Sequence, residues 1–304
     1  MNSTHFLSLK TGQTDPSSPI VIGPGDNTSH FASSRFTRSY GVLVGDAVAH
    51  TIWRQSYNNN PVVRRSNGRF FKRSYAPLFT NSKLLQPNDF TINRPETYLY
   101  MSGMNYTDTT VAGEHGDVWW YNFKTGVSTQ VPKSVMKAAG IHRCNGIELS
   151  PDDKSLFVTS AQNINGSVTS TKIFKFDIDT TTGEPKNPKP VVDLYEALAS
   201  VGVKAKEQGM DPDGMRMDVD GNLFIALNAI PGVLKCNTKV ANEGVYIPLS
   251  TVFAPSNLEF GGDDGMTLYV VGRCQGLKTA CVDSYKHNKV GRAINNLRTG
   301  SNGT

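Results

Sequence analysis

One short strand-like phrase recurs five times along the chain. Each copy places a leucine beside an aromatic or β-branched residue, and turn-forming residues often precede it. The five leucines are Leu43, Leu99, Leu156, Leu223 and Leu268. The steps between them are 56, 57, 67 and 45 residues, the size of one four-stranded propeller blade with variable loops. The repeat therefore predicts a β-propeller.

Composition agrees with an all-β fold. The 304 residues include 28 Gly and 16 Pro, and only 19% are charged, which argues against a helix bundle or a disordered chain. The pattern predicts one helix, over residues 192–201, in the longest spacer between phrases. No apolar run approaches the roughly 20 residues that span a bilayer. We therefore expect a soluble protein.

A polar residue stands upstream of four of the five leucines, at an offset of 10 or 11 residues. These polar repeat residues are Asn88, Asn145, Asp213 and Asn257. Equivalent positions on the innermost strands of a propeller surround its central channel, so the four side chains are expected to converge. Amide and carboxylate oxygens suit a hard cation such as Ca²⁺. The alternative is that Asn and Asp before Gly are ordinary turn residues.

Four phrases resemble the SMP-30/gluconolactonase family, also called regucalcin-like, over about residues 40–275. They are residues 87–90 (PNDF), 145–152 (NGIELSPD), 212–218 (PDGMRMD) and 257–262 (NLEFGG). The resemblance implies a six-bladed β-propeller with one divalent cation in its channel, Ca²⁺ first, with Zn²⁺ or Mn²⁺ as alternatives. It also implies hydrolysis of a sugar lactone or a similar lactone.

The resemblance assigns roles to the polar repeat residues. Asn145 and Asp213 match the metal ligands of the family, and Asp213 matches its general acid/base. Asn88 matches a substrate-contacting Asn that approaches the metal. Asn257, by its place in the repeat, is a further candidate for contact with substrate.

One family ligand is missing, a Glu in the first blade. The first Glu here is Glu96, which follows the Asn88 phrase, and counting 11 residues back from Leu43 gives Ala32. Asp26 and His30 are possible substitutes. We therefore expect a truncated or divergent first blade. Residues 1–39 are expected to form a partial blade that the tail at residues 283–296 could complete, and residues 40–304 the propeller of a single domain.

Loops are expected to form the channel mouth. Candidates are residues 101–114, 162–167 and 228–232, with Tyr106, His115 and His142 as possible specificity residues. Each His is more often a loop or core residue than a catalytic one.

The resulting hypothesis is a metal-dependent lactonase with a small-molecule lactone as substrate. It needs no Ser or Cys nucleophile, and no G-x-S-x-G motif is present. The alternative is a non-catalytic propeller that serves as a binding platform, the Glu ligand being absent. A third reading is an incomplete product of an active enzyme's gene. We expect a monomer without nucleic-acid or membrane partners.

Cysteine and charge leave the cellular location open. Residues 1–14 lack a signal-peptide pattern, yet Cys274 and Cys281 are close enough in sequence to bridge in an exported protein.

The net charge is +5. A basic cluster at Arg64, Arg65, Arg69, Lys72 and Arg73 is interpreted as a solvated loop rather than an anion-binding surface, because no nucleic-acid motif accompanies it.

Overall fold

A computed structural model describes residues 31–56, 63–65, 68–70, 74–105, 116–239, 243–276 and 279–299. These residues form 21 strands and three helices. The strands are β1 (Phe31–Phe36), β2 (Val42–Asp46), β3 (Thr51–Ser56), β4 (Val63–Arg65), β5 (Gly68–Phe70), β6 (Ser74–Thr80), β7 (Gln86–Ile92), β8 (Tyr98–Met104), β9 (Gly116–Asn122), β10 (Val127–Gln130), β11 (Arg143–Leu149), β12 (Ser155–Ile164), β13 (Ser167–Ile178), β14 (Pro185–Asp193), β15 (Asp211–Met217), β16 (Asn222–Asn228), β17 (Gly232–Asn237), β18 (Gly244–Pro248), β19 (Val252–Gly261), β20 (Thr267–Cys274) and β21 (Ala280–Lys286). The helices are α1 (Lys133–Ala139), α2 (Leu194–Ala199) and α3 (Arg292–Thr299).

The strands assemble into successive blade-like sheets. Four sheets have four strands each, in the orders β1-β2-β3-β6, β7-β8-β9-β10, β11-β12-β13-β14 and β15-β16-β17-β18, and a fifth has three, β19-β20-β21. The all-β propeller class is thus confirmed. The prediction of six blades is wrong for the described residues, which form five. The reason is that β1 completes the first sheet by pairing with β2, so no separate sheet precedes it.

The chain divides into two compact units, residues 1–87 and residues 88–304. The first unit contains the first sheet and a small β4-β5 hairpin. Arg64, Arg65 and Arg69 lie on that hairpin, whereas Lys72 and Arg73 lie outside the described residues. The second unit contains the other four sheets and all three helices.

The five repeat leucines occupy one structural position. Each lies on the second strand of its sheet and is fully buried. An interior strand has neighbours on both edges, and its apolar side chains pack against the adjoining sheet. Leu223 of the fourth sheet, for example, belongs to one core cluster with Phe157 and Ile173 of the third sheet. The leucine spacing therefore reports the spacing of the sheets themselves.

The predicted helix exists as α2, between the third and fourth sheets, and it is shorter than residues 192–201. Asp193 caps it, because its carboxylate accepts hydrogen bonds from the backbone N–H groups of Tyr195 (3.0 Å) and Glu196 (3.2 Å). Helices α1 and α3 were not predicted. The fully buried residues of α3 are polar, Arg292 and Asn296, so the face that it buries most deeply is not its apolar one.

The tail does not add a strand to β1 in the described residues. Its first part belongs to β21, and α3 then packs against β15 and β19 within the second unit. Arg292 is fully buried there and donates to Glu148 Oε1 (3.0 Å) and to the Ser150 carbonyl (3.0 Å). Cys274 and Cys281 form a disulfide, with 5.2 Å between their Cα atoms, that joins β20 to β21. No helix in the described ranges has the length and hydropathy needed to cross a bilayer.

Candidate functional site

The four polar repeat residues all lie on the first strands of consecutive sheets. Asn88 is in β7, Asn145 in β11, Asp213 in β15 and Asn257 in β19. The constant offset to the leucines follows from this, because a short hairpin turn joins the first and second strands in each sheet. The strands β11, β15 and β19 also contact one another in turn.

Irregular pairing sets the direction of two of these side chains. The register between β11 and β12 shifts between Cys144 and Ile147, and the register between β15 and β16 shifts between Pro212 and Met215. Asn145 and Asp213 fall inside these bulges. A bulge re-aims a side chain away from the regular alternation of a strand. The two residues are thus placed by a local feature that both sheets share.

The glycines after Asn145 and Asp213 allow the first strands to approach closely. A Cβ on Gly146 would lie 2.5 Å from the Asp213 carbonyl oxygen. A Cβ on Gly214 would lie 2.2 Å from Asn257 Oδ1. Both distances are too short for real atoms, so these positions require glycine. The N-G and D-G pairs are packing features here, and the interpretation of them as simple turn residues is wrong.

Asn88 joins this arrangement through Ser102 on β8. The Ser102 hydroxyl lies 3.2 Å from the carbonyl oxygen of Asp89 and also contacts that of Asn145. It therefore connects the Asn88–Asp89 segment of β7 to β11. Asn88 itself is buried, with 7% of its surface exposed.

Asp213 is the carboxylate among the four polar repeat residues, and its surroundings alter its acidity. Burial raises its pKa from 3.8 to about 7, and the neighbouring carboxylates of Asp211 and Asp89 act in the same direction. Hydrogen bonds from Asn228 and Asn145 oppose the shift. Asn228 Nδ2 donates to Asp213 Oδ2 at 3.2 Å. A carboxyl with this pKa can exchange a proton near neutral pH.

The raised pKa predicts a stability that falls as pH increases. In metal-free protein the native state holds the Asp213 proton up to about pH 7, whereas the unfolded chain releases it near 3.8. The native state binds more protons across this range, so the unfolding free energy should fall by up to about 3 kcal/mol between pH 5 and 8. Asp213→Asn should remove that decrease, as measured by urea unfolding with chelator present.

Asp179→Asn is the matched control for this measurement. A hydrogen bond from Lys186 lowers the pKa of Asp179 to about 2, so it stays ionised throughout the range. The stability difference between this variant and the wild type should therefore stay flat from pH 5 to 8. An Asp213→Asn difference that is equally flat would contradict the assigned pKa.

The donor atoms present suit a hard cation. Asn145 Oδ1 is buried and has no hydrogen-bond partner among the residues that the structure describes, and the Asp213 carboxylate contacts the same side chain. An unpaired buried carbonyl oxygen beside a buried carboxylate is costly unless a positive group lies between them. Oxygen donors of these two kinds bind Ca²⁺ well. Within the described part of the chain, no group of three or more His, Cys, Asp or Glu side chains is arranged to hold a metal.

Several predicted site residues cannot be placed. Asp26, His30, Tyr106 and His115 lie outside the described residues, as does most of the 101–114 loop. Glu96 lies in the β7–β8 turn with a positive φ of 54°, away from the strand position that carries Asn88. No substitute for the family Glu is thus identified in the described chain.

The two other predicted mouth loops have different outcomes. Residues 162–167 form the end of β12 and the turn into β13, where Asn163 accepts a hydrogen bond from Arg143 (3.2 Å). Residues 228–232 begin with Asn228, the hydrogen-bond donor to Asp213. His142 precedes β11, and its backbone N–H donates to Ser160 Oγ at 2.9 Å.

The contacts of three residues near the candidate site were not predicted, although Asn228 begins the predicted 228–232 loop. Asn228 ends β16 directly opposite Asp211, so a pairing of the two strands would have revealed it. Arg143 forms an ion pair with Asp211, which lies two residues before Asp213. Arg216 lies three residues after Asp213, with its Nη1 2.7 Å from Asp89 Oδ2 and its Nε 2.9 Å from Glu259 Oε2. The two arginines and their partners are 43 to 127 residues apart, beyond the reach of a local pattern.

The fold is that of a β-propeller whose four polar repeat residues lie on the first strands of consecutive sheets. The sequence pattern of the SMP-30/gluconolactonase/LRE-like region matches residues 36–272. The chain therefore belongs to the SMP-30/gluconolactonase/LRE-like family, as the resemblance predicted.

Two solved structures have a fold similar to that of this chain. A luciferin-regenerating enzyme has a TM-score of 0.58 at 14% identity, with 88% of this chain and 94% of that chain covered. The calcium-binding protein regucalcin from Agrobacterium tumefaciens has a TM-score of 0.57 at 15% identity, with 86% and 77% covered. At these identities the likeness concerns the fold.

A curated protein of Sulfolobus acidocaldarius, described as uncharacterized, is 30% identical over 129 residues. The match covers 41% of this chain and 39% of that protein, so it spans well under half of the relative's length.

Proposed function

We propose that this protein is a metal-dependent hydrolase that opens the ring of a sugar lactone or a similar lactone. The observation that carries the proposal is the contact between Asp213, a carboxyl with a pKa near neutrality, and Asn145, whose buried Oδ1 has no partner. Membership of the SMP-30/gluconolactonase/LRE-like family supports the reaction class.

Asn145, Asp213 and Asn88 are the proposed ligands of one divalent cation. Ca²⁺ is the first expectation, because the donors are oxygens and because a calcium-binding regucalcin shares the fold. When bound, the cation supplies Lewis-acid polarisation of the lactone carbonyl.

The protein side chains supply the proton transfers and the positioning. Asp213 accepts a proton from the attacking water, whose oxygen bonds to the lactone carbonyl carbon. The bond between that carbon and the ring oxygen then breaks, and Asp213 returns the proton to the leaving oxygen. Asn228 holds Asp213 Oδ2 in place. Asn88 and Asn257 lie on the flanking first strands, where they are proposed to contact the substrate.

Metal titration tests this proposal. Calorimetry on chelator-treated protein should show one site for Ca²⁺, Mn²⁺ or Zn²⁺, and Asn145→Leu should weaken that site by at least about 10-fold because the buried amide oxygen is lost. Turnover of a lactone panel should disappear with chelator and return with the metal. The control is Asn288→Leu, since Asn288 lies at an exposed position after β21.

The second candidate is a non-catalytic propeller that binds a ligand at the same place. It is favoured by one observation: three of the four polar repeat residues are amides, which bind well but do not transfer protons. This candidate predicts metal or ligand binding without turnover of any lactone. Metal-dependent turnover would exclude it.

A further inference from the structure

A cavity of about 680 Å³ lies beside the candidate site, formed by the fourth and fifth sheets. The end of β16, the start of β19, the end of β20 and the start of β21 contribute its walls. Ala254, Val271 and Ala280 make part of this wall apolar. The cavity is large enough for a substrate-sized ligand.

Two residues connect this cavity to the candidate site. Asn228 lines the cavity and donates its side-chain hydrogen bond to Asp213. Ser256 also lines it and immediately precedes Asn257 in β19. The register of β19 shifts at this point, between Pro255 and Asn257, so Ser256 lies in a bulge. A ligand in the cavity would therefore extend from the neighbourhood of Asp213.

Arg273 is the charged side chain among the described residues that line the cavity. It lies on β20 and is exposed, and its guanidinium makes neither an ion pair nor a hydrogen bond with any described residue. The other arginines near the site are neutralised, Arg143 by Asp211 and Arg216 by Asp89 and Glu259. An uncompensated guanidinium facing a cavity attracts an anion.

The backbone that carries Arg273 is held in place. Arg273 pairs with Ala280 across the β20–β21 hairpin, and the Cys274–Cys281 disulfide closes the hairpin directly beside this pair. Arg273 also pairs with Ala254 on its other side. Because the strand is held at both edges, the backbone position of Arg273 is fixed. This favours pairing of its planar guanidinium with the two oxygens of a carboxylate.

We propose that this cavity, the Arg273 cavity, binds a carboxylate joined to a short apolar segment. The inference rests on the proposed function. If the protein opens lactones, its preferred substrates carry an acidic side chain. The apolar wall accommodates the carbon segment, and the guanidinium pairs with the two carboxylate oxygens. A carboxylate suits the cavity because its single charge matches that of Arg273, the one charged side chain among the described lining residues, whereas a phosphate dianion would exceed it.

Hexanoate binding tests the inference without relying on turnover. In chelator, so that no metal competes for the carboxylate, NMR titration of the full chain should show hexanoate binding. Arg273→Gln should weaken it by at least about 10-fold, and Arg273→Lys should retain part of it. 1-Hexanol should bind the wild type and Arg273→Gln equally. Lys204→Gln, which removes an exposed charge outside the cavity, should leave hexanoate binding unchanged.

Two results would overturn the inference: no hexanoate binding to the wild type at millimolar concentrations, or equal binding to Arg273→Gln.

Lactone turnover tests the proposed function separately from the Arg273 cavity. Lactones with a five-carbon side chain ending in methyl or in carboxylate should differ in kcat/KM by about 10-fold in favour of the acid, and only in proteins that keep Arg273. Turnover without this preference would contradict the cavity assignment alone. Hexanoate binding without any turnover would contradict the hydrolase alone.

Discussion

Asp213→Asn is expected to lower kcat/KM for lactone hydrolysis by at least about 10³-fold, because the substitution removes the proposed proton acceptor. The new amide has the same size as the carboxyl and still accepts the hydrogen bond from Asn228, so the local structure should persist. Steady-state kinetics at saturating metal measures the loss. The variant should also bind metal more weakly, since one ligand charge is gone.

Two further variants separate the role of Asp213 from a general change in charge. Asp179→Asn removes one exposed carboxylate paired with Lys186 and should leave kcat/KM unchanged. Asp213→Glu keeps the charge but moves the carboxyl by one methylene, so it should retain part of the metal affinity while losing most of kcat. Full activity in Asp213→Asn would remove Asp213 from the mechanism.

Arg216→Met is expected to destabilise the protein by about 3 to 5 kcal/mol, because it leaves a buried carboxylate without its partner. Arg216 and Asp89 are 4% and 1% exposed as side chains, and their ion pair joins β15 to β7. Glu259, which also contacts Arg216, is 45% exposed and can be hydrated instead. Urea unfolding followed by circular dichroism and by tryptophan fluorescence gives the free energy and checks two-state behaviour.

The double variant Arg216→Met/Asp89→Leu distinguishes an unpaired charge from a simple loss of packing. With both charges removed, much of the lost stability should return, since apolar pairs often replace buried ion pairs well. If the double variant is less stable than Arg216→Met alone, the carboxylate of Asp89 has another stabilising partner. Phe90 is one such group, because its backbone N–H donates to Asp89 Oδ1 at 2.9 Å.

The repeat and the polar positions could be predicted because both are local. A second strand follows its first strand through a short turn, so the offset of 10 or 11 residues between Asn145 and Leu156, or between Asp213 and Leu223, survives in the fold. The repeated leucines could likewise be predicted, because each sheet contains the same second-strand pattern. The number of sheets could not be predicted in the same way. Strand β1 carries no leucine phrase, and only the structure shows that it pairs with β2.

Helices α1 and α3 were missed for a related reason. Neither exceeds eight residues, and α1 buries only Met136. Helices this short do not fill the window of about 11 to 18 residues in which apolar periodicity distinguishes a helix from a loop. Their positions depend on neighbours far away in sequence, as the contact between Arg292 and Glu148, 144 residues apart, illustrates.

The sequence by itself determined the β-propeller class, the family and the four polar repeat residues, because each depends on short-range spacing. Only the tertiary structure decided what surrounds them. Burial beside Asp211 and Asp89 sets the acidity of Asp213, the Arg216–Asp89 pair joins strands 127 residues apart, and the Arg273 cavity forms where separate sheets meet. Desolvation and charge pairing depend on three-dimensional neighbours, and those neighbours follow no period in the chain.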